Sequence, residues 1–210
     1  MIKCVSLRVL DLELVSITDK VIANLLSTCK LLENIRLVWC RDLKTVKVKN
    51  LAFLCELIIH SRDPNSIFEI TDVPVLRMLD HSPFLIPGIS KPMPFQMDSL
   101  GSVTQLIIRN VLMDDGFFDT INSELLLLEN LTIKIDNWAV ENWVISSVSL
   151  KRLNLEFCTS KQFVITVCTP KLISCVCECC HEPAPIISFS TTPPEDFKIT
   201  MLKKFFNPIV

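Results

Sequence analysis

One short apolar pattern returns at nearly constant spacing along this chain of 210 residues, and it limits the possible folds more than any other feature. The pattern is apolar-x-x-apolar-x-apolar, of which Leu128-Leu131-Ile133 is one copy. Successive copies are 22, 25 or 27 residues apart. The central positions of the copies are Leu10, Ile35, Leu57, Leu79, Leu106, Leu131, Leu153 and Cys175. A repeat of this period cannot bury its own apolar side chains, so neighbouring repeats must stack.

Both the pattern and its period, which lies within roughly 20–29 residues, are typical of leucine-rich repeats. We therefore predict an α/β fold of the leucine-rich-repeat solenoid type, in which each coil contributes one strand to a parallel β ladder. The solenoid is expected over residues 1–182, with an irregular loop over 81–101, where prolines and two of the three glycines interrupt the repeat. Residues 183–210 are expected to form a proline-rich segment that ends the regular coil, followed by an incomplete C-terminal element.

The connections on the back of the solenoid are of two kinds. Three of them begin with a polar capping residue and continue with apolar residues at helical spacing, which predicts helices starting at Thr18, at Asp114 and near Asn137. Alternating runs at residues 46–49 and 163–165 predict short strands instead. A coil of 22 residues that holds two strands has no room for such a helix, so helical and extended coils should alternate along the back.

The composition excludes several classes of function. A formal net charge of −2 makes bulk nucleic-acid binding unlikely to be the role of this chain. Only three glycines are present and no two lie within five residues, which excludes glycine-rich phosphate loops. The apolar stretches are too short to span a bilayer. Ten cysteines without a visible secretory signal are typical of reduced thiols, so we expect a cytoplasmic or nuclear protein.

A cysteine-rich run near the C-terminus supplies metal-ligand residue types: Cys175, Cys177, Cys179, Cys180 and His181. Two of these cysteines occupy ladder positions that hold leucines elsewhere, and buried cysteine behaves as a small apolar residue. Ligands on one short strand close a tetrahedron poorly, so no metal site is expected, although a metal or redox role remains an alternative. No cysteine is expected beside a histidine on the exposed face, so we expect neither an enzyme nor a cofactor.

The residues between the inward leucines should face outward and form the contact surface. The candidate partner-binding residues are Arg36, Ile58, His60, Ile107, Arg109, Thr132, Lys134, Arg152, Asn154 and Glu156, and Asp11, Glu56, Asp80, Val176 and Glu178 complete this face. We expect a protein substrate or partner to bind there.

Stacking of neighbouring coils makes specific predictions for these side chains. Asp11 should neutralise Arg36, and Glu156 should neutralise Lys134. Arg109 and Lys134 should be stacked like charges without an outward partner between them, open to an acidic side chain or a phosphate of a ligand, although two solvated cations are the simpler interpretation. Exposed side chains at Ile58, Ile107 and Val176 should form an apolar line, which favours a protein partner over a small anion.

The residues also resemble a known family. Ile17-Thr18-Asp19, Leu25-Leu26, Cys29, Leu32-Glu33, Ile35, Leu37 and Cys40 resemble the cysteine-containing leucine-rich repeat of F-box proteins. The segments 145–153 and 169–175 are similar to plant F-box/LRR proteins in particular. The resemblance covers roughly residues 4–180. It implies the substrate-recognition region of an SCF-type ubiquitin ligase, in which an F-box docks on a Skp-type adaptor.

The sequence also departs from that family, because no F-box-like segment with a Leu-Pro start precedes Leu7. A Skp-type adaptor is therefore expected as a partner only if an F-box is encoded upstream. Neither end shows a polar cap, which suggests a fragment or a chain that needs a partner at its ends. The expected function is a non-enzymatic interaction module of an F-box-type protein. A repeat scaffold unrelated to ubiquitination is the closest alternative.

Overall fold

A computed structural model describes residues 4–63, 65–83, 100–109, 116–135, 142–158 and 162–201. The elements, in chain order, are β1 (Val9–Glu13), α1 (Asp19–Thr28), β2 (Asn34–Cys40), β3 (Thr45–Lys49), β4 (Glu56–Ser61), β5 (Ile67–Thr71), β6 (Met78–Ser82), β7 (Gln105–Arg109), α2 (Gly116–Glu124), β8 (Asn130–Ile135), β9 (Asn142–Ile145), β10 (Arg152–Phe157), β11 (Val164–Val167), β12 (Ser174–Cys179), β13 (Ile186–Phe189) and β14 (Asp196–Met201).

The chain winds into a solenoid whose main sheet has strand order β1-β2-β4-β6-β7-β8-β10-β12-β14. Every neighbouring pair in this sheet is parallel. The predicted ladder is confirmed, because the central residues of all the predicted copies are paired with one another in register. Phe197 follows Cys175 in the same column, so β14 adds one strand that the sequence pattern did not show.

Apolar and polar residues alternate along each strand, which explains why these segments form a sheet with one buried face. Leu131 and Ile133 of β8 point inward and are at most 1% exposed, whereas Thr132 between them lies on the outward face. Burying one such aliphatic side chain contributes about 1.5–3 kcal/mol, but only when a coil stacks on each side. At the end strand β14 the inward Phe197 and Ile199 are 41% and 44% exposed.

The back of the solenoid combines helices with two small parallel sheets, as predicted. Thr18 is the N-cap of α1, and β3 pairs with β5 at the expected extended run. The second expected helix is α2, which begins at Gly116 and buries Phe117 and Phe118, while its expected start at Asp114 lies outside the described residues. The third back segment is a sheet of order β13-β11-β9.

The third predicted helix, near Asn137, is wrong for its described part. Trp143 and Val144 belong to strand β9, which pairs with β11, and residues 136–141 lie outside the described residues. Trp143 is buried with ring centroids 4.6 Å from Phe118 and 5.5 Å from Phe163, so it joins the aromatic residues of the coils before and after it. The step from β8 to β10, which contains β9, is 22 residues long. This length leaves room for a strand on the back of the coil but not for a helix.

The prediction that the regular coil ends after Glu182 is also wrong. Strand β13 pairs with β11 and strand β14 pairs with β12, so the solenoid continues to residue 201. Pro183 and Pro185 precede β13, and Pro193 and Pro194 precede β14, at positions where no ladder N–H is needed. Pro194, which is buried, stands 22 residues after the repeat residue Leu172 and takes its place.

The first residues of the loop expected over 81–101 are not part of a loop. His81 and Ser82 belong to strand β6, whose pairing with β7 continues the ladder. Residues 84–99 lie outside the described residues, and the chain is described again from Leu100, which is fully buried.

Several tight corners of the coils use asparagine and aspartate. Asn50 and Asp72 have φ angles of 55° and 54°, and they stand at equivalent positions after β3 and β5. These residue types tolerate the left-handed region better than other non-glycine residues do. Trp39, with φ of 55°, lies at the irregularity where the β2–β4 register shifts, as is typical of a β-bulge.

His81 is a titratable residue in an otherwise apolar column. It is 2% exposed, is paired with Ile59 and Ile108 in the sheet, and packs against the Phe68 ring at a centroid distance of 4.9 Å. Burial, and to a smaller extent the neighbouring His60, lowers the pKa of His81 to about 4. The folded protein therefore holds this imidazole neutral at a pH where the unfolded chain binds a proton.

We predict that His81 makes the fold acid-sensitive. Folding lowers the pKa of His81, so its imidazole is neutral in both states above the unfolded pKa of about 6.5, and it then costs the fold nothing. As the pH falls from about 6.5 towards about 4, the unfolded chain binds a proton that the folded protein does not, and stability is lost. The wild-type free energy of unfolding should fall by roughly 3 kcal/mol over this window from this residue. His81→Leu should remove that dependence in urea denaturation series, whereas the control His181→Leu, at an exposed site, should keep it. Parallel pH profiles for wild type and His81→Leu would contradict the prediction.

Candidate functional site

The outward face of the main sheet, which we call the ladder face, carries two rows of side chains in register. The first row is Asp11, Arg36, Ile58, Asp80, Ile107, Thr132, Asn154, Val176 and Lys198, and the second row is Glu13, Val38, His60, Ser82, Arg109, Lys134, Glu156, Glu178 and Thr200. The candidate residue Arg152 lies on the same face of β10, two residues before Asn154 of the first row. All the candidate partner-binding residues therefore share one face.

The N-terminal part of the ladder face is held by ion pairs. Arg36 Nη1 donates to Asp11 Oδ1 at 2.8 Å, and Nη2 donates to Glu13 Oε2 at 2.8 Å. The hydrogen bonds to Glu13 and then to Asp11 raise the pKa of Arg36. The predicted neutralisation of Arg36 by Asp11 is confirmed, and the guanidinium also binds a second carboxylate that the sequence pattern did not indicate.

The middle of the ladder face holds a cluster of three charged or titratable side chains. Arg109 Nη1 donates to both carboxylate oxygens of Asp80, at 2.5 and 2.7 Å, and His60 Nε2 lies 3.1 Å from Asp80 Oδ1. The Asp80 side chain is only 8% exposed. Burial alone would raise the pKa of this carboxyl, but the hydrogen bonds from His60 and Arg109 outweigh it and hold the pKa below its usual range.

The predicted neutralisation of Lys134 by Glu156 is confirmed, whereas the expectation that Arg109 stands beside Lys134 without an acidic partner is wrong. Arg109 binds Asp80 on the preceding strand, and Lys134 Nζ donates to Glu156 Oε1 on the following strand. The two cations are neighbours in the sheet, as expected, but each points to a different carboxylate. The long side chains reach diagonally across the face, so the expected site for an acidic group or phosphate loses its basis.

The predicted apolar line along the ladder face is also wrong. Ile58 and Ile107 are only partly exposed and are separated by Asp80, and Val176 lies beyond Thr132 and Asn154 in the same row. These aliphatic side chains are therefore isolated contacts rather than a continuous stripe.

Accessibility varies along the ladder face, where Asp11 and Glu13 at the N-terminal end are exposed. Val38, Asp80 and Ser82 are outward in register yet buried, whereas Arg152 and Asn154 in the C-terminal half are exposed. The accessible surface includes a depression of about 230 Å³, which we call the ladder depression. It is lined by Thr132, Asn154, Leu155, Glu156, Val176 and Glu178.

The sequence placed most of these residues on the face but did not indicate the depression. Its shape depends on side-chain positions: Asn154 Nδ2 donates to Thr132 Oγ1 at 3.4 Å, and Glu156 is held by Lys134. These contacts hold the side chains of Asn154 and Glu156 towards β8, and the depression lies beside Val176 on β12. The repeat pattern predicts which residues share a row of the ladder face, but not how their side chains contact those on neighbouring strands.

The predicted cysteine cluster is divided between the interior and the surface. Cys175 and Cys177 fill inward ladder positions, Cys180 is partly exposed and His181 is exposed. Burial raises the pKa of Cys175 to about 12 and also raises those of Cys177 and Cys179, which disfavours the thiolate that a metal binds. Within the described ranges no group of three or more ligand residues is arranged around a metal position.

A pair of thiols that the sequence analysis missed lies at the end of β10 and β12. Cys158 Sγ and Cys180 Sγ are 2.7 Å apart, and the backbone N–H of Cys180 donates to Phe157 O at 2.8 Å. Both residues are partly exposed. The signal was available as the 22-residue separation of the two cysteines, which equals one coil.

Comparison with known proteins gives no relative: no family model, curated protein sequence or solved structure matches this chain. Among the helices in the described part of the chain, none has the length and apolar character needed to cross a bilayer. The site is therefore interpreted from its own geometry.

We predict that Asp80 is the residue that holds the central cluster together. Asp80→Asn should lower the free energy of unfolding by about 1–3 kcal/mol near pH 7, because Arg109 loses a nearly buried counter-ion and His60 loses a hydrogen-bonded carboxylate. The Asp80 pKa is lowered on folding, so its contribution is present above the unfolded pKa of about 3.9 and is lost as the pH falls below that value. The difference between wild type and Asp80→Asn should therefore shrink in denaturation series below pH 4.

Glu178→Gln is the matched control, since this carboxylate is on the same face and partly exposed. It should change the stability by less than about 0.5 kcal/mol. Equal losses in the two variants would show that Asp80 has no special role in the cluster.

Proposed function

We propose that this chain is a non-enzymatic leucine-rich-repeat interaction module that binds a protein partner through the ladder face. The observation that carries the proposal is the continuous nine-stranded parallel sheet, whose outward side chains stand in regular rows. Such a surface is extended and rigid, and solenoids use surfaces of this kind to bind other macromolecules. The repeat pattern of the sequence supports the same class.

The ladder depression is a concave part of that face, and its lining favours a partner with a basic side chain. Glu178 has no cationic partner among the described residues, while Glu156 is already bound to Lys134. The Val176 side chain and the Thr132 methyl group add apolar contact area. A lysine or arginine of the partner, placed beside Glu178, fits this lining.

The finer assignment is to substrate recognition in an SCF-type ubiquitin ligase. It rests on the resemblance of residues 17–40, 145–153 and 169–175 to F-box/LRR proteins. A scaffold unrelated to ubiquitination uses the same face and is the closest alternative.

The ladder-face proposal is tested with a photo-crosslinking amino acid at Asn154, and with the same group at exposed Ser123 on α2 as control. A protein crosslinked only from Asn154 is then purified and its affinity measured by calorimetry. Glu178→Lys should weaken that affinity about tenfold or more, since a fully lost charge-assisted contact is worth about 1.5–3 kcal/mol. Asp119→Lys, which introduces the same charge change on α2, should leave it unchanged.

Two outcomes would contradict the use of this face. One is equal crosslinking from Asn154 and Ser123, and the other is an affinity that Glu178→Lys and Asp119→Lys reduce equally. The ubiquitination assignment is tested separately, with the longest product of the same locus. Co-purification with Skp-type and cullin components would support it, and a failure to co-purify, with ladder-face binding intact, would favour the scaffold.

We also propose a redox role for Cys158 and Cys180, because the contact between their sulfurs favours the second class of function considered above. Strands one coil apart lie about 4.8 Å from each other, which is within the range of Cα separations that a disulfide spans. With oxidised glutathione as the oxidant, one thiolate attacks the glutathione disulfide and releases glutathione. The second thiolate then displaces another glutathione and closes the disulfide. Overall, two protein thiols and one glutathione disulfide give one protein disulfide and two glutathione molecules.

This role predicts one intramolecular disulfide after treatment of the native protein with oxidised glutathione. Mass spectrometry should find a Cys158–Cys180 crosslinked peptide and a loss of two hydrogens. Cys158→Ser should instead leave a glutathione adduct on Cys180, and the control Cys168→Ser should still form the crosslink. Adducts on wild-type protein without the crosslink would contradict the proposal.

A further inference from the structure

A second concave surface lies on the back of the solenoid, away from the ladder face. It is a groove of about 540 Å³ between helix α1 and strand β3, which we call the lysine groove. It arises where a helical coil stacks on an extended coil, because the helix cannot continue the small sheet that β3 forms with β5. Its volume is within the roughly 300–1,000 Å³ that is typical of small-molecule sites.

The lining of the lysine groove combines a cationic rim with apolar surface. Lys20 and Lys30 come from α1 and the residue pair that follows it, and Lys47 and Lys49 come from β3. All four lysines are exposed. The apolar part of the lining is Ala23, which is exposed, and Leu26, which is only 3% exposed.

Asp19 is the acidic residue of this lining, and it is engaged by the backbone. Its Oδ1 accepts hydrogen bonds from the backbone N–H groups of Lys44 at 2.7 Å and Thr45 at 3.1 Å. The carboxylate therefore fixes the start of β3 against the start of α1. It is directed at backbone donors rather than at the lysine ammonium groups.

Two of the four lysines have structural partners. Lys47 Nζ donates to Glu69 Oε1 at 2.8 Å, and Lys30 Nζ lies 3.4 Å from both Leu26 O and Asn50 O. For Lys20 and Lys49, the part of the chain that the structure describes provides no acidic partner. The groove thus has a net positive charge, because the described residues provide carboxylates for only some of its lysines.

We propose that the lysine groove binds a small organic phosphate, with the phosphate between Lys20 and Lys49 and the carbon portion against Ala23. A lysine ammonium is a mobile point charge that suits phosphate, and two of them match the charge of a phosphate monoester dianion. The apolar surface favours an organic body over the bare ion. The site is independent of partner binding by the ladder face, which lies on the other side of the coil.

The test uses the full chain at low ionic strength and three probes: phenyl phosphate, inorganic phosphate and phenol. Calorimetry and amide chemical shifts should show that phenyl phosphate binds more tightly than the other two probes. The shifts should be largest at α1 and β3. Lys20→Glu/Lys49→Glu should weaken phenyl phosphate binding about tenfold or more, because both cations proposed to contact the phosphate become carboxylates that repel it.

The control is Lys171→Glu/Arg62→Glu, which gives the same change in net charge at exposed sites outside the groove and outside the two rows of the ladder face. It should bind phenyl phosphate with no more than about a twofold loss, and circular dichroism should confirm that both double variants are folded. Should the groove variant fail to fold, wild-type shifts at α1 and β3 with phenyl phosphate, and their loss on raising the salt concentration, decide the question.

Three results would overturn the proposal. They are the absence of saturable binding of phenyl phosphate at millimolar concentration, equal affinities for phenyl phosphate and either simpler probe, and equal losses in the two double variants. None of these measurements depends on a protein partner, so failure of this proposal leaves the ladder-face proposal untouched, and the reverse also holds.

Discussion

The parallel pairing of each coil with the next is the interaction on which the rest of this structure depends. An inward leucine is dry only because the coils on both sides cover it: Leu131 in the middle of the sheet is 1% exposed, whereas Phe197 in the end strand is 41% exposed. Stability is therefore a sum of contacts between nearest neighbours rather than the property of one central core. The same pairing aligns the outward side chains, so packing and recognition are set by a single register.

This register could be predicted from the sequence because it depends on one-dimensional information. The inward positions recur at a fixed step, and a shift of one residue would turn every leucine outward, so the spacing leaves one alignment. The back of the coil is less constrained. The apolar residues around Trp143 fit a helix and a strand equally well, and only the 22-residue coil length and the aromatic neighbours Phe118 and Phe163 select the strand. The prolines near the C-terminus are a similar case. Their number suggests that the solenoid ends, but their positions within the 22-residue repeat are compatible with further coils.

The candidate site was predictable as a set of residues but not as a surface. Register assigns Arg109 and Lys134 to one row, and adjacent like charges suggest an unsatisfied pair. Their side chains are long enough to reach Asp80 and Glu156 on the strands on either side, which removes the repulsion. Burial of Asp80 and Ser82 on the outward face follows from three-dimensional packing and has no signature in the repeat pattern. Composition and spacing thus identify the face, while side-chain length and lateral contacts decide which part of it is accessible.

Charge is distributed differently on the two sides of the solenoid, and this difference has a physical consequence. On the ladder face most cations are bound to carboxylates of neighbouring strands, so the face presents little uncompensated charge, and the partner binding proposed for it depends on shape and on a few partly exposed groups such as Glu178. In the lysine groove, Asp19 is used by the backbone and Lys20 and Lys49 keep their charge towards solvent. Long-range attraction of an anion is therefore stronger at the groove, and it weakens with salt, whereas short-range complementarity on the ladder face is much less sensitive to ionic strength. One fold with a single register can in this way carry two surfaces whose binding responds to different conditions.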